Sequence, residues 1–346
     1  MGNEFDERYD IRIANRGDIE KIMEFINQHW KKGHIMAVSR EFFEYEFCVG
    51  DRVDFIIAVD KNTDEIECIQ GFIPCSKGND PEKFDVWGSI WKLNETHDNI
   101  PLLGIEVCQR MTGMIGARMG LGSGLNTKTA LLINQRIFRS KTGKMNHYYM
   151  LGDFNEYKIA KIVHRPEKTA PIACPEGISV VKYNTFEEMK KHFDVDSIDS
   201  MPYKDSWYFE KRYYRHPVYQ YNVYGIVDSG TTKTLLVTRD ISHEDRKIAR
   251  VVDCIGDHSY ISYLGDFFEG LLKDGNYEYI DFYEYGVKDE YFRKAGLILR
   301  EDNDVNIIPN YFEPFVQQNV EVWVSYAFDG TVFFKADADQ DRPNSI

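Results

Sequence analysis

Cysteine is scarce and scattered in this chain of 346 residues: Cys48, Cys68, Cys75, Cys108, Cys174 and Cys254 include no C-x-x-C pair. Most sit in or beside apolar runs, which predicts buried reduced thiols and argues against a disulfide framework or a zinc site. No metal is therefore expected. Basic residues are also in deficit, with 42 Lys and Arg against 56 Asp and Glu and a formal net charge of −14. Nucleic acid and anionic membranes both require a positive surface, so neither is expected as the main partner. A small anion stays compatible, because a few local N–H groups and cations can hold one against the overall field. Long apolar runs are missing too. No stretch approaches the ~18 apolar residues of a membrane-spanning helix, and the acidic start "MGNEFDERYD" has no signal-type apolar core. No membrane insertion and a cytoplasmic location are expected. Gly2 is placed for myristoylation, but Asp6 stands where that motif has Ser or Thr.

Glycine is abundant in one place, "ARMGLGSGLN" at 117–126. A dinucleotide loop needs G-x-G-x-x-G after an apolar strand. Counted from Gly120 the third glycine falls on Leu125, and counted from Gly122 it falls on Thr127, so both registers fail. A helical pattern precedes the segment rather than a strand.

The first half alternates strand and helix patterns. "YDIRIA" is a strand, followed by a helix with Ile19, Ile22, Met23, Ile26 and Trp30 on one face. A second helix, "REFFEYEF", precedes three apolar runs, "VDFIIAVD", "EIECIQGFIP" and "DVWGSIWKL", parted by the turn-formers "DKNTD" and "SKGNDPEK". A helix from about Leu103 to Arg118 and another from Thr127 to about Phe138 follow. The strands "NHYYML" and "YKIAKIV" are expected to close this half. The second half repeats the rhythm: "ISVVKY", the helices "FEEMKKHF" and "SWYFEKRYY", three strands, the helix "YISYLGDFFEGLL", the strand "YEYIDFY" and the helix "KDEYFRKAGL". The expected organisation is a domain at 1–165, a Pro-rich linker at 166–176 and a domain at 177–346.

This order resembles the GNAT superfamily of acyl-CoA N-acyltransferases, twice over. "YFRKAGL" (291–297) is similar to that superfamily's "Y-x-K-x-G-F" helix ending, and "TALLINQRIFRSKTGKMNHYYML" (129–151) takes the same place in the first half. With "HWKKGHI", "RYYRHPVYQYNVYG" and "FFKADADQDRPN", these segments look like GNAT-like proteins encoded with bacterial surface-polysaccharide genes. The resemblance implies an α/β (α+β) fold of two tandem GNAT-like domains, each a mixed, mainly antiparallel sheet flanked by helices.

It also implies a chemistry. In the superfamily a CoA pyrophosphate sits on a helix N-terminus, where unpaired N–H groups and the dipole favour an anion. The usual signature is Q/R-x-x-G-x-G/A; "NIPLLGIEV" keeps only Gly104, with Leu102 at the first glycine's place. Leu103, Gly104 and Ile105 are the expected pyrophosphate contacts. Main-chain groups from Trp91 to Leu93 would meet the thioester carbonyl. Asn126 would border the pantetheine slot, and it also reads as a plain helix cap. His34, His147, Tyr149 and His216 are the proton-transfer candidates, with His34 favoured; Tyr148 points away from the face shared by His147 and Tyr149. Each histidine also reads as a hydrogen-bonded core residue. "CIGDHSYI" places Asp257 at the second half's pyrophosphate position, so that half is expected to bind acceptor or to be structural. The tail carboxylates Asp337, Asp339 and Asp341 read as a solvated acidic terminus, since Arg342 replaces the glycine of an EF-hand loop.

The reading this favours is an N-acyltransferase using acetyl-CoA or another acyl-CoA on the amine of a nucleotide-linked amino sugar, in surface-polysaccharide synthesis. The alternatives are an aminoacyl transferase of the tandem type and a non-catalytic duplicated scaffold that binds a sugar or a partner enzyme.

Overall fold

The computed structural model describes residues 4–78 and 80–345, so Gly2 lies outside it. The chain divides into two compact units. The first comprises Met1–Lys141, Ser325–Ala327 and Arg342–Ile346; the second comprises Thr142–Val324 and Phe328–Asp341.

In the first unit, β1 (Tyr9–Asn15), β2 (Arg52–Asp60), β3 (Ile66–Pro74), β4 (Asp85–Leu93) and β5 (Met119–Ser123) lie side by side in that order. All neighbours are antiparallel except β4 and β5, which are parallel. β2 and β3 are buried almost throughout, which is why their sequences run apolar instead of alternating. Around the sheet are α1 (Ile19–Phe25), α2 (Arg40–Phe47), α3 (Leu103–Ile115) and α4 (Ala130–Ile133). Ser39 caps α2 by accepting from the Phe42 amide at 3.2 Å. α3 buries Leu103, Val107 and Met111 against Tyr9, Ile56, Ala58, Cys68, Phe72 and Val86. Each such side chain contributes roughly 1.5–3 kcal/mol on burial, so helical spacing alone fixes which face of α3 meets the sheet.

The second unit holds β6 (Asn146–Leu151), β7 (Ile178–Tyr183), β8 (Tyr221–Asp228), β9 (Thr231–His243), β10 (Arg246–Gly256), β11 (Tyr279–Tyr285), β12 (Ile298–Leu299) and β13 (Phe333–Phe334). The sheet order is β12-β6-β11-β10-β9-β8-β7, with β13 paired to β11 off this path. β10 and β11 form its parallel pair. Helices α5 (Gly265–Gly275) and α6 (Asp289–Lys294) lie in this unit; Phe268 and Leu272 of α5 and Phe292 of α6 enter its main apolar cluster with Tyr148, Val251, Ile280 and Phe282. Each unit is thus a mixed, mainly antiparallel sheet flanked by helices.

Several local expectations need correction. The strand "NHYYML", read as closing the first half, is β6 of the second sheet, between β11 and β12. "YKIAKIV" forms no strand; only a single bridge, Lys161 to Ile307, is made there. The acidic tail is not solvated. Asp337 is buried and paired to Lys204 at 2.7 Å, and Asp341 is buried and paired to Arg239 at 2.6 Å. All six cysteines are free, and burial pushes the Cys108 thiol up to about 12. No helix among the described residues is long and apolar enough to cross a membrane.

Candidate functional site

The parallel pair of the first unit is short. Asp85, Val86 and Trp87 face Met119, Gly120 and Leu121, and beyond Trp87 and Leu121 the parallel pairing ends. A bulge on β4 accompanies the parting. Gln70 faces Trp91 and Phe72 faces Gly88, so Ser89 and Ile90 together oppose Gly71. Such a bulge turns main-chain groups out of the ladder. The sheet order leaves no strand between the separated edges of β4 and β5. Glycine serves this wall by fit: a Cβ on Gly122 would come within 2.6 Å of Ser325 Oγ, and Gly124 takes a left-handed φ of +72°. "GLGSG" is therefore a strand edge and its turn, as its failed dinucleotide spacing required.

The gap leads to the N-terminus of α3. Leu102, just before it, is 68% exposed and holds φ +69°, ψ +11°, the left-handed region. Leu102 thus holds a backbone conformation that glycine adopts without strain. Leu103 N–H bonds Ile100 O at 3.2 Å, and the Ile105 and Glu106 amides bond Leu102 O at 2.9 and 3.0 Å. The Gly104 N–H has no hydrogen-bond partner among the described residues. Trp91, the first residue after the bulge, donates its indole N–H to Gly104 O at 2.9 Å, so strand end and helix start are tied together. Leu93 and Leu103 pack in the cluster beneath α3, and Ile105 is half-buried. Asn126 Oδ1 accepts from the Lys128 amide at 2.9 Å, and its carbonyl accepts from Leu131 at 3.0 Å, just ahead of α4. Arg342 places a cation beside the bulge, its Nη1 3.4 Å from Ser89 Oγ. Ser89, Ile90 and Arg342 escaped sequence reasoning. The isolated Gly71 and Gly88 in strand patterns were the available hint of a bulge.

The proton-transfer candidates are all placed inside packing. His34 is buried; its Nδ1 accepts from the Met36 amide at 3.2 Å and its Nε2 lies 3.1 Å from Asn344 Oδ1. That geometry caps the turn Ile35–Val38 and occupies both ring nitrogens. His147, Tyr149 and His216 belong to the second unit. His147 is sealed between Asp281 (3.2 Å from Nε2) and the Arg300 Nε–H (3.3 Å from Nδ1), and it stacks on Tyr283. Burial lowers its pKa to about 4. Tyr149 and Tyr148 fall in different apolar clusters, as strand alternation requires, and burial raises Tyr149 to about 12. His216 Nδ1 accepts from the Val218 and Tyr219 amides, and burial, then Arg212, bring it down to about 3.

The second unit repeats the bulge and the parting. Val237 faces Asp253 while Thr238 faces Val251, so Val252 is extra on β10. Past Val251 and Phe282 the parallel pair ends. Here the chain fills its own gap: Phe333 and Phe334 pair with Tyr285 and Glu284 of β11, and the Ala336 amide bonds Val252 O of β10 at 2.8 Å. Asp337 anchors this insert by accepting from Phe334 N at 2.8 Å and by pairing with Lys204, which also holds Asp253 at 2.8 Å. Asp257 caps the turn that follows β10.

Elsewhere, Glu65, Glu67 and His97 bring possible cation ligands within 4.8 Å of one another, with His97 Nδ1 at 2.7 Å from Glu67. A groove of about 440 Å³ lies at the C-terminal end of α5, lined by Arg165, Lys168 and Lys273 among others.

No family model matches this chain, and no curated protein does. Solved structures do resemble it. A GCN5-related N-acetyltransferase from Anabaena variabilis ATCC 29413 superposes with a TM-score of 0.52 at 9% identity, covering 92% of this chain and 72% of that one. A conserved protein of unknown function from Enterococcus faecalis V583 gives 0.55 at 6% identity, covering 84% of this chain and 70% of that one. At such identities the likeness is one of fold.

Proposed function

We propose that this protein is a GNAT-type N-acyltransferase whose acyl-CoA site is the gap between β4 and β5 of the first unit. The observation that carries this reading is the bulged, parted strand pair opening toward the free Gly104 amide and the left-handed Leu102. The second unit has the same frame but closes it with its own residues 333–336, so the first unit is the catalytic one. The likeness to the Anabaena variabilis N-acetyltransferase fold supports the reaction class.

In this mechanism the thioester supplies an activated carbonyl, and the chain supplies position and charge. Main-chain N–H groups between Ser89 and Leu93 stabilise the negative charge that grows on the carbonyl oxygen. The start of α3, through Leu103, Gly104 and Ile105, holds the pyrophosphate, while Trp91 and Asn126 border the arm between. A neutral acceptor amine attacks the carbonyl carbon, the C–S bond breaks, and the amine's proton ends on the departing thiolate. His34 positions the segment around Asn344 instead of carrying the proton, because both its nitrogens are already engaged.

The acceptor we infer is the amine of an amino sugar, nucleotide-linked, in cytoplasmic synthesis of a surface polysaccharide; the similarity of 129–151 and 333–344 to proteins of that kind supports it. Calorimetric titration with CoA and acetyl-CoA tests the cofactor. Binding is expected in the micromolar range, at least tenfold weaker in Gly104→Val, whose new Cβ meets Trp91 only at the ordinary 3.5 Å and so leaves the fold intact. No heat at millimolar ligand overturns the reading in favour of a non-catalytic scaffold. Thiol release with a panel of free and nucleotide-linked amino sugars then identifies the acceptor.

A further inference from the structure

The residue that follows the second unit's inserted strand is a lysine with nothing to bond. Lys335 is 2% exposed, yet among the described residues it makes no hydrogen bond and no ion pair. Its ammonium lies 5.5 Å from the centre of the Tyr283 ring. Tyr283 is 1% exposed and its hydroxyl has no partner; Asn310 is 3% exposed and neither atom of its side-chain amide has one. Buried polar side chains are satisfied in the large majority of cases, and each orphan carries a desolvation cost. Three orphans in one neighbourhood need a common explanation.

Arg250 links them. Its guanidinium lies 5.7 Å from the Tyr283 ring centre and donates to Asn310 O at 2.9 Å, while Nε and Nη2 grip Asp281 at 2.9 and 2.6 Å. Arg239 in turn grips Asp341 through Nε at 3.1 Å and Nη2 at 2.6 Å. Both guanidiniums are therefore neutralised by their own carboxylates. Lys335 has no carboxylate within ion-pair distance, and neither has the buried Arg300 beside His147, which bonds only the His147 ring and the Glu301 carbonyl among the described residues. Burial, then the Arg250 charge, pull the Lys335 pKa down to about 7.

We propose that Lys335, Tyr283 and Asn310 form a binding site in the second unit for a small organic anion bearing a single carboxylate. One such group returns the missing charge and offers two acceptor oxygens to the ammonium, the phenol and the amide NH₂. The site uses none of the residues assigned to acyl transfer, so the two readings stand or fall separately.

The test is thermal unfolding of the full chain in sodium acetate and sodium lactate, against sodium chloride at matched ionic strength and against inorganic phosphate. A saturable rise in Tm with acetate or lactate is expected, with the half-saturating concentration at least tenfold higher in Lys335→Met and raised in Tyr283→Phe. Without added anion, Lys335→Met is expected to melt above the natural chain, because it removes a buried unpaired amine. Should Lys335→Met not fold, Tyr283→Phe and Asn310→Ala report on the same contact. Equal responses to acetate, lactate and chloride overturn the proposal, as does an undiminished carboxylate response in the folded variants. A phosphate response stronger than either carboxylate overturns the ligand class.

Discussion

Leu102 gives the sharpest check on how the α3 N-terminus is built. Its backbone is left-handed at φ +69° and its side chain is 68% exposed. An L-residue there carries about 1–2 kcal/mol of strain from its Cβ against the following carbonyl. Leu102→Gly removes that strain, but it also gives the unfolded chain more freedom, worth about 0.5–1 kcal/mol in the other direction. The exposed leucine side chain is lost in both Leu102→Gly and Leu102→Ala, so the two variants should be compared with each other. The glycine variant should be the more stable by about 0.5–1 kcal/mol, where glycine inside a helix would be about 1 kcal/mol worse than alanine. Equilibrium urea unfolding at matched m-values reads the difference as a higher midpoint for the glycine variant. A midpoint at or below that of the alanine variant refutes the left-handed assignment, and with it the backbone support for the proposed pyrophosphate site. The same pair should bind CoA at least as tightly with glycine as with alanine, since the amides keep their aim.

Asp281→Asn leaves Arg250 buried beside a neutral partner and should cost about 3–5 kcal/mol by chemical unfolding, whereas Asp281→Asn combined with Arg250→Met should recover much of that loss; a single-variant cost below ~1 kcal/mol contradicts the buried pair. His147 should stay neutral well below pH 6, seen as a neutral ring with the proton on Nε2 in nitrogen-15 spectra at pH 5. Because folding lowers its pKa from 6.5 to about 4, its contribution to stability is present above pH 6.5 and is lost as the pH falls toward 4. His34→Asn, which can still cap the following turn, should retain acyl transfer within a few-fold. A thousandfold loss of kcat with unchanged folding would return His34 to the chemistry. Ala336→Pro deletes the amide that bonds Val252 and should lower the melting temperature while leaving CoA affinity unchanged; a CoA response would place the cofactor in the second gap.

Much of this architecture follows from local sequence alone. Ile19, Ile22, Met23 and Ile26 at helical spacing, and the unbroken apolar runs at 52–60 and 66–74, state their own periodicity, because a side chain's direction depends on the few residues around it. The failed glycine spacing at 120–127 likewise ruled out a dinucleotide loop before any fold was known. Other features were decided only by pairing between distant residues. Whether "NHYYML" joined one sheet or the other depended on β11, more than a hundred residues later. The bulges at Ser89–Ile90 and Val252 are mismatches between two strands, so neither strand's sequence contains them. The acidic tail looked solvated because Lys204 and Arg239, which neutralise it, lie far upstream. The same holds for the candidate sites. Gly104 was legible as a residue type, but the left-handed Leu102 beside it and the unpaired Lys335 exist only once the chain has folded, since strain and missing partners are properties of surroundings and not of letters.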